Sequence, residues 1–118
     1  MKTLKVVDLL ETPCLLAPEK GVTLLSIIVK ALKSSPGITV DFDGYEFLSS
    51  AFLNHVFGQI CIDEGWNVEK FHKTIKIKGL DEDDVDEVEL AIDNAQTRRS
   101  LLKQGINPEQ YYSSRLPA

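Results

Sequence analysis

Two adjacent serines, Ser49 and Ser50, are the residues of this chain whose types and position best suit chemistry. They follow a β-branched run that ends in Asp41-Phe42-Asp43-Gly44, and they precede an apolar segment with helical periodicity. A helix start offers free backbone N–H groups and a positive dipole end, both of which stabilise a phosphate. Phosphorylation there would add about −1.5 to −2 charges to the surface. One of the two serines is also expected to be the helix N-cap, which contributes about 1 kcal/mol.

Two nearby carboxylates, Asp41 and Asp43, alternate along the end of the strand and so face the same way. Oxygen ligands in that arrangement suit a divalent cation, but no third acid and no calcium-type glycine loop lies nearby. The sequence favours a turn in which Asp41 hydrogen-bonds the following loop and Asp43 pairs with Gly44. No metal site is therefore predicted.

A histidine, His55, follows the serines by about one helical turn, which makes a Ser–His nucleophile pair conceivable. The serines are not framed by a Gly-x-Ser-x-Gly elbow, and no third orienting group can be assigned. We therefore predict no catalytic residues and no cofactor, and we interpret His55 as a polar residue on a helix flank.

The serines, the aspartates and His55 are positioned by strands and helices that alternate along the sequence. The predicted strands are Lys2–Leu10, Ile38–Phe42 and Thr74–Lys78, and Cys14–Leu16 is either a second short strand or a lead-in to the first helix. The predicted helices are Pro18–Ser35, a second from Ser49 or Ser50 to about Glu64, and a third from about Asp83 to Gln104. This order predicts an α/β fold with a small mixed, partly parallel sheet of about four strands packed by three helices.

The third predicted helix has an acidic beginning, Asp81–Glu87, which suits the positive end of the helix dipole. Its predicted buried stripe consists of Val85, Val88, Ile92, Ala95 and Leu102. The segment Trp66–Lys73 is predicted to be a mixed connection between elements. We expect residues 1–105 to form one domain and residues 106–118 a C-terminal tail.

The amino-acid composition argues against several kinds of partner and location. The chain has 118 residues, a formal net charge of −5 and a pI near 5.0. An acidic surface argues against nucleic acid and against an anionic membrane as partners. The apolar run at the start of the sequence is too short for a signal peptide. No run in the sequence approaches the roughly 20 apolar residues of a membrane span. Two cysteines in apolar contexts, Cys14 and Cys61, suit buried, reduced thiols, so we expect a cytoplasmic protein.

The chain resembles the STAS-like family of bacterial proteins, a domain of unknown function related to the STAS domains of anti-sigma-factor antagonists. The resemblance covers roughly Ala17 to Lys103. It is carried by three segments: Thr39-Val40-Asp41-Phe42-Asp43-Gly44, Phe47-Leu48-Ser49-Ser50-Ala51-Phe52 and Phe57-Gly58.

This resemblance implies a small sheet packed by helices, with a serine at the start of the helix after the central strand. In the antagonists that serine is phosphorylated by a partner kinase of the GHKL ATPase type, and phosphorylation controls binding to the partner. Ser49 corresponds to that phosphoacceptor and Ser50 to the hydroxyl residue beside it. The antagonists have Asp before the serine and Gly-Leu after the pair, whereas here Leu48 precedes and Ala51-Phe52 follows.

The sequence therefore predicts a non-catalytic regulatory domain that binds a protein partner through Asp43, Gly44, Ser49, Ser50 and Asn54. The phosphoacceptor candidates are Ser49 and Ser50, and the expected partner is a GHKL-type ATPase. One alternative is a small-ligand binder or enzyme that uses strand-end residues and His55. Another is a structural module whose role is oligomeric packing.

Overall fold

The computed structural model describes residues 2–105. Along the chain, the strands are β1 (Lys2–Lys5), β2 (Cys14–Leu15), β3 (Ile38–Asp41), β4 (Phe47–Leu48) and β5 (Ile75–Lys78). The helices are α1 (Val6–Leu10), α2 (Pro18–Ser34), α3 (Ser50–Leu53), α4 (Gln59–Glu64), α5 (Val68–Thr74) and α6 (Glu82–Lys103). A π-helical turn over Asn54–Gly58 joins α3 to α4.

Two parallel sheets replace the single sheet that the sequence predicted. The larger has three strands in the order β1-β3-β5, and the smaller pairs β2 with β4. In the larger sheet Leu4, Val40 and Ile77 share one register row, and the flanking strands leave β3 buried along most of its length. The α/β class with partly parallel strands is confirmed. The small pair positions Ser49, because β4 ends at Leu48, the residue directly before it.

The first strand is shorter than predicted, because Val6–Leu10 forms a helix. Val6 and Leu10 are four residues apart and both are buried, so one face of this helix faces the core. Glu11 ends it in the left-handed conformation at φ 56°. Contact with α2 thus overrides the strand propensity of two adjacent valines.

The helix α2 agrees with its prediction almost to the residue. Pro18 occupies the start of the helix, where a missing N–H costs nothing. The buried positions recur at spacings of three and four: Gly21, Leu24, Ile28 and Ala31. Breaker residues Pro36 and Gly37 separate it from β3.

The helical segment from Ser50 to Glu64 forms as predicted, but it contains the π turn, which the sequence analysis missed. Its buried residues recur at a spacing of four, as Phe52, Val56 and Ile60 and as Leu53, Phe57 and Cys61. Positions four apart drift by about 40° around a regular α-helix. One wider turn offsets that drift and keeps the apolar face turned toward the core.

Two predictions about the second half of the chain were wrong. The segment predicted to be a mixed connection, Trp66–Lys73, contains most of the helix α5. Asn67 caps this helix, and its side-chain oxygen accepts from Lys70 N–H at 2.8 Å. The predicted stripe of α6 is correct in its middle, but Val85 and Leu102 are exposed and Leu101 is buried instead. The two misassigned positions, Val85 and Leu102, lie in the first and last turns of α6. The predicted tail, residues 106–118, lies outside the described residues.

Candidate functional site

Ser49 is the N-cap of the helical segment that begins at Ser50. Its backbone is extended, at φ −112° and ψ 153°, and its Oγ accepts a hydrogen bond from Phe52 N–H at 3.1 Å. The hydroxyl donates to the Leu16 carbonyl at 3.4 Å, and Ser49 N–H donates to the Leu15 carbonyl at 3.2 Å. The serine therefore ties the helix start to the strand β2, and its side chain is half-buried.

Ser50 is the exposed member of the pair. It is the first residue of α3, and its carbonyl accepts from Asn54 Nδ2 at 3.1 Å. Within residues 2–105 its hydroxyl makes no hydrogen bond. The structure thus brings three predicted site residues together, Ser49, Ser50 and Asn54. The two hydroxyls have different environments, because that of Ser49 caps the helix whereas Ser50 is exposed to solvent.

An exposed apolar patch lies against the serines. Cys14 and Phe47 are register partners in the small parallel sheet, so their side chains share a face. Both are exposed, and so is Leu16, whose carbonyl accepts from Ser49. Phe47 exposes 58% and Leu16 46% of its surface, whereas Leu15 on the opposite face is fully buried. We call Leu16, Phe47, Ser49 and Ser50 the serine surface.

The Asp43-Gly44 turn belongs to the carboxyl edge of the larger sheet. Asp41 Oδ1 accepts from Asp43 N–H at 3.0 Å, as the turn interpretation required, and Gly44 has φ 93°. Gly79 packs against this turn so closely that a Cβ on it would lie 2.4 Å from Asp43 N. No hydrogen bond joins the turn to either serine in the described part of the chain. Its predicted role in partner binding stays a prediction.

Two lysines flank the buried Asp41 carboxylate at this edge. Asp41 lies in one register row with Lys5 and Lys78 on the neighbouring parallel strands. Lys78 Nζ is 3.7 Å from Asp41 Oδ2, and the carboxylate is largely buried. Lys5, Asp8, Asp41 and Asp43 line a polar cavity of about 220 Å³. Among residues 2–105, no group of three or more His, Cys, Asp or Glu side chains is placed to hold a metal ion.

Tyr45 connects this turn to the start of α6. Its hydroxyl donates to Asp84 Oδ2 at 2.6 Å, with Asp81 Oδ2 at 3.2 Å. The hydrogen bond to Asp84, together with burial, raises the pKa of Tyr45 to about 12. Asp81 is the N-cap of α6 and accepts from Asp84 N–H, which lowers the pKa of its carboxyl. This tether leaves no local signal in the sequence, because only the fold brings Tyr45 to Asp81 and Asp84.

The remaining reactive side chains are separate from the serines. His55 is exposed, and it packs beside α2, where a Cβ on Gly21 would lie 3.3 Å from His55 Cβ. Neither serine hydroxyl hydrogen-bonds to it in the described residues. Cys61 is buried, and burial raises the pKa of its thiol to about 11. Cys14 is exposed, so the expectation of a buried thiol was wrong for it, and both thiols are free.

The fold and the serine-capped helix define a small α/β domain of the kind that the sequence resembled. Residues 20–85 match the family described as a STAS-like domain of unknown function. The match covers more than half of the 118 residues, so the chain belongs to the STAS-like domain family. Comparison with curated proteins and with solved structures gave no match. No helix among residues 2–105 has the length and apolar character needed to cross a membrane.

Proposed function

We propose that this chain is a non-catalytic regulatory domain that binds a protein partner through the serine surface. The observation that carries the proposal is the exposed apolar pair beside the capped helix start. Phe47 and Leu16 leave about half of their surfaces in water, directly next to Ser49. Exposed apolar surface with a polar rim is typical of protein-binding sites. Asn54 and the Asp43-Gly44 turn are proposed to extend the contact.

A phosphoryl group on the serine pair would act as the switch. On Ser49 it would remove the hydroxyl donation to the Leu16 carbonyl, while phosphate oxygens still accept from Phe52 N–H. On Ser50 it would leave the cap intact and place the charge in solvent. In both cases the new charge lies beside Phe47, where it opposes burial of the apolar patch by a partner. Phosphorylation is therefore proposed to weaken partner binding.

The proposed partner is a GHKL-type ATPase that also supplies the ATP. This follows from the family resemblance, in which the modifying kinase and the regulated partner are one protein. Affinity capture from the native host tests it, with the wild-type chain and the variant Leu16→Ser/Phe47→Ser as parallel baits. We expect the wild type to retain such an ATPase and the variant to lose it. Equal retention by both baits would place the binding surface elsewhere.

The switch needs its own experiment. The recovered ATPase is incubated with ATP and with wild-type, Ser49→Ala or Ser50→Ala chain, and the modified residue is located by mass spectrometry. The proposal expects one phosphate on the serine pair and its loss in one of the two variants. No phosphate on either serine would remove the switch and leave the binding role in place.

A further inference from the structure

The strand β5 is an edge of the larger sheet. In the order β1-β3-β5 it has a neighbour on one side only within residues 2–105. Phe42 N–H donates to the Lys78 carbonyl at 2.9 Å, so the main-chain groups of Lys78 point toward β3. The main-chain groups of successive strand residues point to opposite sides, so those of Lys76 also face β3. Those of Ile75 and Ile77 therefore face outward, and we call this side of the strand the β5 edge.

Three of the outward main-chain groups have no partner in the described part of the chain. Ile75 N–H donates to the Phe71 carbonyl at the end of α5. The carbonyl of Ile75 and both the N–H and the carbonyl of Ile77 form no hydrogen bond among residues 2–105. An unpaired row of strand N–H and C=O groups is a template for another strand.

A groove of about 230 Å³ lies between the β5 edge and α6. Its apolar lining comes from β5, from the turn after it and from α6, and consists of Ile75, Ile77, Leu80, Val85 and Val88. Lys76 also lines the groove, although its side chain points to the opposite face from those of its two neighbours, so the groove reaches the main chain of the strand. The volume is below the roughly 300–1,000 Å³ of small-molecule sites, which suits single side chains of a bound strand.

A contact between two helices holds the walls of the groove together. His72 belongs to the last turn of α5 and Glu89 to α6, and both line the groove. His72 Nε2 lies 2.7 Å from Glu89 Oε1. The groove is therefore formed before a ligand arrives, which lowers the cost of ordering it on binding.

The two faces of β5 differ in charge. Ile75 is buried and Ile77 half-buried on the face that meets α6, whereas Lys76 and Lys78 are exposed on the other face. Lys78 Nζ lies 3.7 Å from Asp41 Oδ2, but Lys76 forms no ion pair among residues 2–105. Opposite charges on directly opposed residues of neighbouring strands stabilise a sheet. An added strand is therefore favoured when its side chains on this face are acidic.

The same lysines disfavour a second copy of this chain as the occupant. Two copies related by a two-fold axis would pair their β5 strands antiparallel. Every such register that hydrogen-bonds Ile77 within the strand sets a lysine opposite a lysine: Lys76 with Lys76, Lys76 with Lys78, or Lys78 with Lys78. Like charges directly opposite each other destabilise a sheet. The β5 edge thus discriminates against its own copy.

From these observations we infer that the β5 edge binds an extended peptide segment of a partner protein in which acidic and apolar side chains alternate. The main chain of the segment pairs with Ile77 and with the Ile75 carbonyl. Its acidic side chains lie opposite Lys76, and its apolar side chains enter the groove beside Val85 and Val88. The site shares no residue with the serine surface and does not depend on phosphorylation.

Synthetic peptides and backbone amide spectra of the uniformly ¹⁵N-labelled full chain test the inference. The probe is acetyl-(Glu-Val)₃-amide, and acetyl-(Lys-Val)₃-amide is the matched control. We expect the acidic peptide to shift the amides of residues 75–78 and 85–89 in a saturable way, and the lysine peptide to bind at least about tenfold more weakly. Because the chain has a formal net charge of −5, non-specific attraction would favour the lysine peptide instead. No saturable shift with the acidic peptide, or equal or tighter binding of the lysine peptide, would overturn the inference.

N-methylated forms of the acidic peptide test the main-chain pairing. One form is methylated at its valines and the other at its glutamates, because an added strand uses the N–H groups of alternate residues only. The valine form is expected to lose binding if the peptide runs antiparallel to β5, and the glutamate form if it runs parallel. In either case the other form retains binding. Equal effects of the two methylations would contradict pairing with the β5 edge.

A charge reversal places the peptide on the sheet. Lys76→Glu is expected to weaken the acidic peptide by about threefold or more and to tighten the lysine peptide. Lys20→Glu is the matched control, because Lys20 is an exposed residue of α2 outside the groove, and it should match the wild type. Unchanged affinity in Lys76→Glu, or an equal loss in both variants, would contradict the assignment.

Sedimentation equilibrium and the same spectra test the other possible occupants of the β5 edge. We expect the free chain not to form a dimer that the acidic peptide dissociates, and such a dimer would overturn the inference in favour of a second copy. A simultaneous shift of the amides of residues 106–118 on addition of the peptide would assign the edge to that segment and would also overturn it.

Discussion

Single hydrogen bonds set the different roles of the two serines. Ser49 Oγ accepts the Phe52 N–H and thereby satisfies one of the helix-start donors that would otherwise be unpaired. Ser50 is the first helical residue, and its hydroxyl does not contribute to the cap. The cap was predictable from sequence, since small hydroxyl residues before an apolar periodic run are typical of helix starts. Which serine takes which role depends on the pairing of β2 with β4, which the sequence did not reveal.

Removing the cap gives the first prediction. Ser49→Ala is expected to lower the free energy of unfolding by about 1 kcal/mol, because Phe52 N–H loses its acceptor. Ser50→Ala is the matched control and is expected to change it by less than about 0.5 kcal/mol. Urea denaturation measures both. Equal effects of the two substitutions would contradict the assignment of the cap.

The Tyr45 tether gives a pH-dependent prediction. The pKa of Tyr45 is raised from 10.0 to about 12, chiefly by its hydrogen bond to Asp84, so folding favours the protonated phenol. The contribution to stability is therefore complete below pH 10 and is lost as the pH rises toward 12. The stability difference between wild type and Tyr45→Phe should shrink over this window. Denaturation at several pH values measures it, and a constant difference would argue against the tether.

At the scale of elements, long periodic segments were the predictable ones. The spacing of its apolar residues predicted α2, and Pro36 and Gly37 after it predicted where β3 begins. The short elements were not predictable. The helix α1 exists because Val6 and Leu10 are buried against neighbouring elements, and β2 and β4 exist only as partners of each other. Such elements depend on tertiary contacts more than on local propensity.

The same dependence limited the prediction of the candidate site. Ser49, Ser50 and Asn54 are neighbours along one helix start, so sequence alone placed them together. The exposure of Phe47 and Leu16 follows from which face of the small sheet is turned to solvent, and a two-residue strand carries no periodicity that reveals it. The π turn did leave a signal, a strict four-residue spacing of buried positions, which the sequence analysis did not use.

The contact between the Asp43-Gly44 turn and the end of β5 gives an element-scale prediction. Gly79 and Gly44 both have positive φ, 84° and 93°, but only Gly79 lacks room for a Cβ. Gly44→Ala should cost about 1 kcal/mol from backbone strain alone. Gly79→Ala should cost about 1–3 kcal/mol more, because its Cβ would collide with Asp43 N.

Urea denaturation of the two glycine variants checks this difference, with the slope of the transition compared to confirm that both unfold in the same way. Equal losses of stability would mean that the turn moves aside from the new methyl group. In that case the turn is not fixed against the end of β5.

At the scale of the whole molecule, the helical segment after the serines joins the serine surface to the contact with α6. The serine surface is apolar with a hydroxyl pair, whereas the same segment meets α6 at Gly58, where a Cβ would lie 3.3 Å from the Ala91 carbonyl. Membership of the STAS-like family covers the part of the chain that contains the serine surface, residues 20–85, apart from Leu16. The proposed binding role rests on the serine surface.

The most direct test of the binding role is the dissociation constant of the purified chain for its captured partner, measured by isothermal titration calorimetry. Phe47→Ser is compared with Leu90→Ser, since these residues expose 58% and 52% of their surfaces but Leu90 lies on α6, outside the serine surface. An interface anchor is expected to contribute about 2 kcal/mol, so Phe47→Ser should weaken binding by more than about tenfold while Leu90→Ser matches the wild type. Wild-type affinity in Phe47→Ser, or an equal loss in both variants, would contradict the proposal that the serine surface binds the partner.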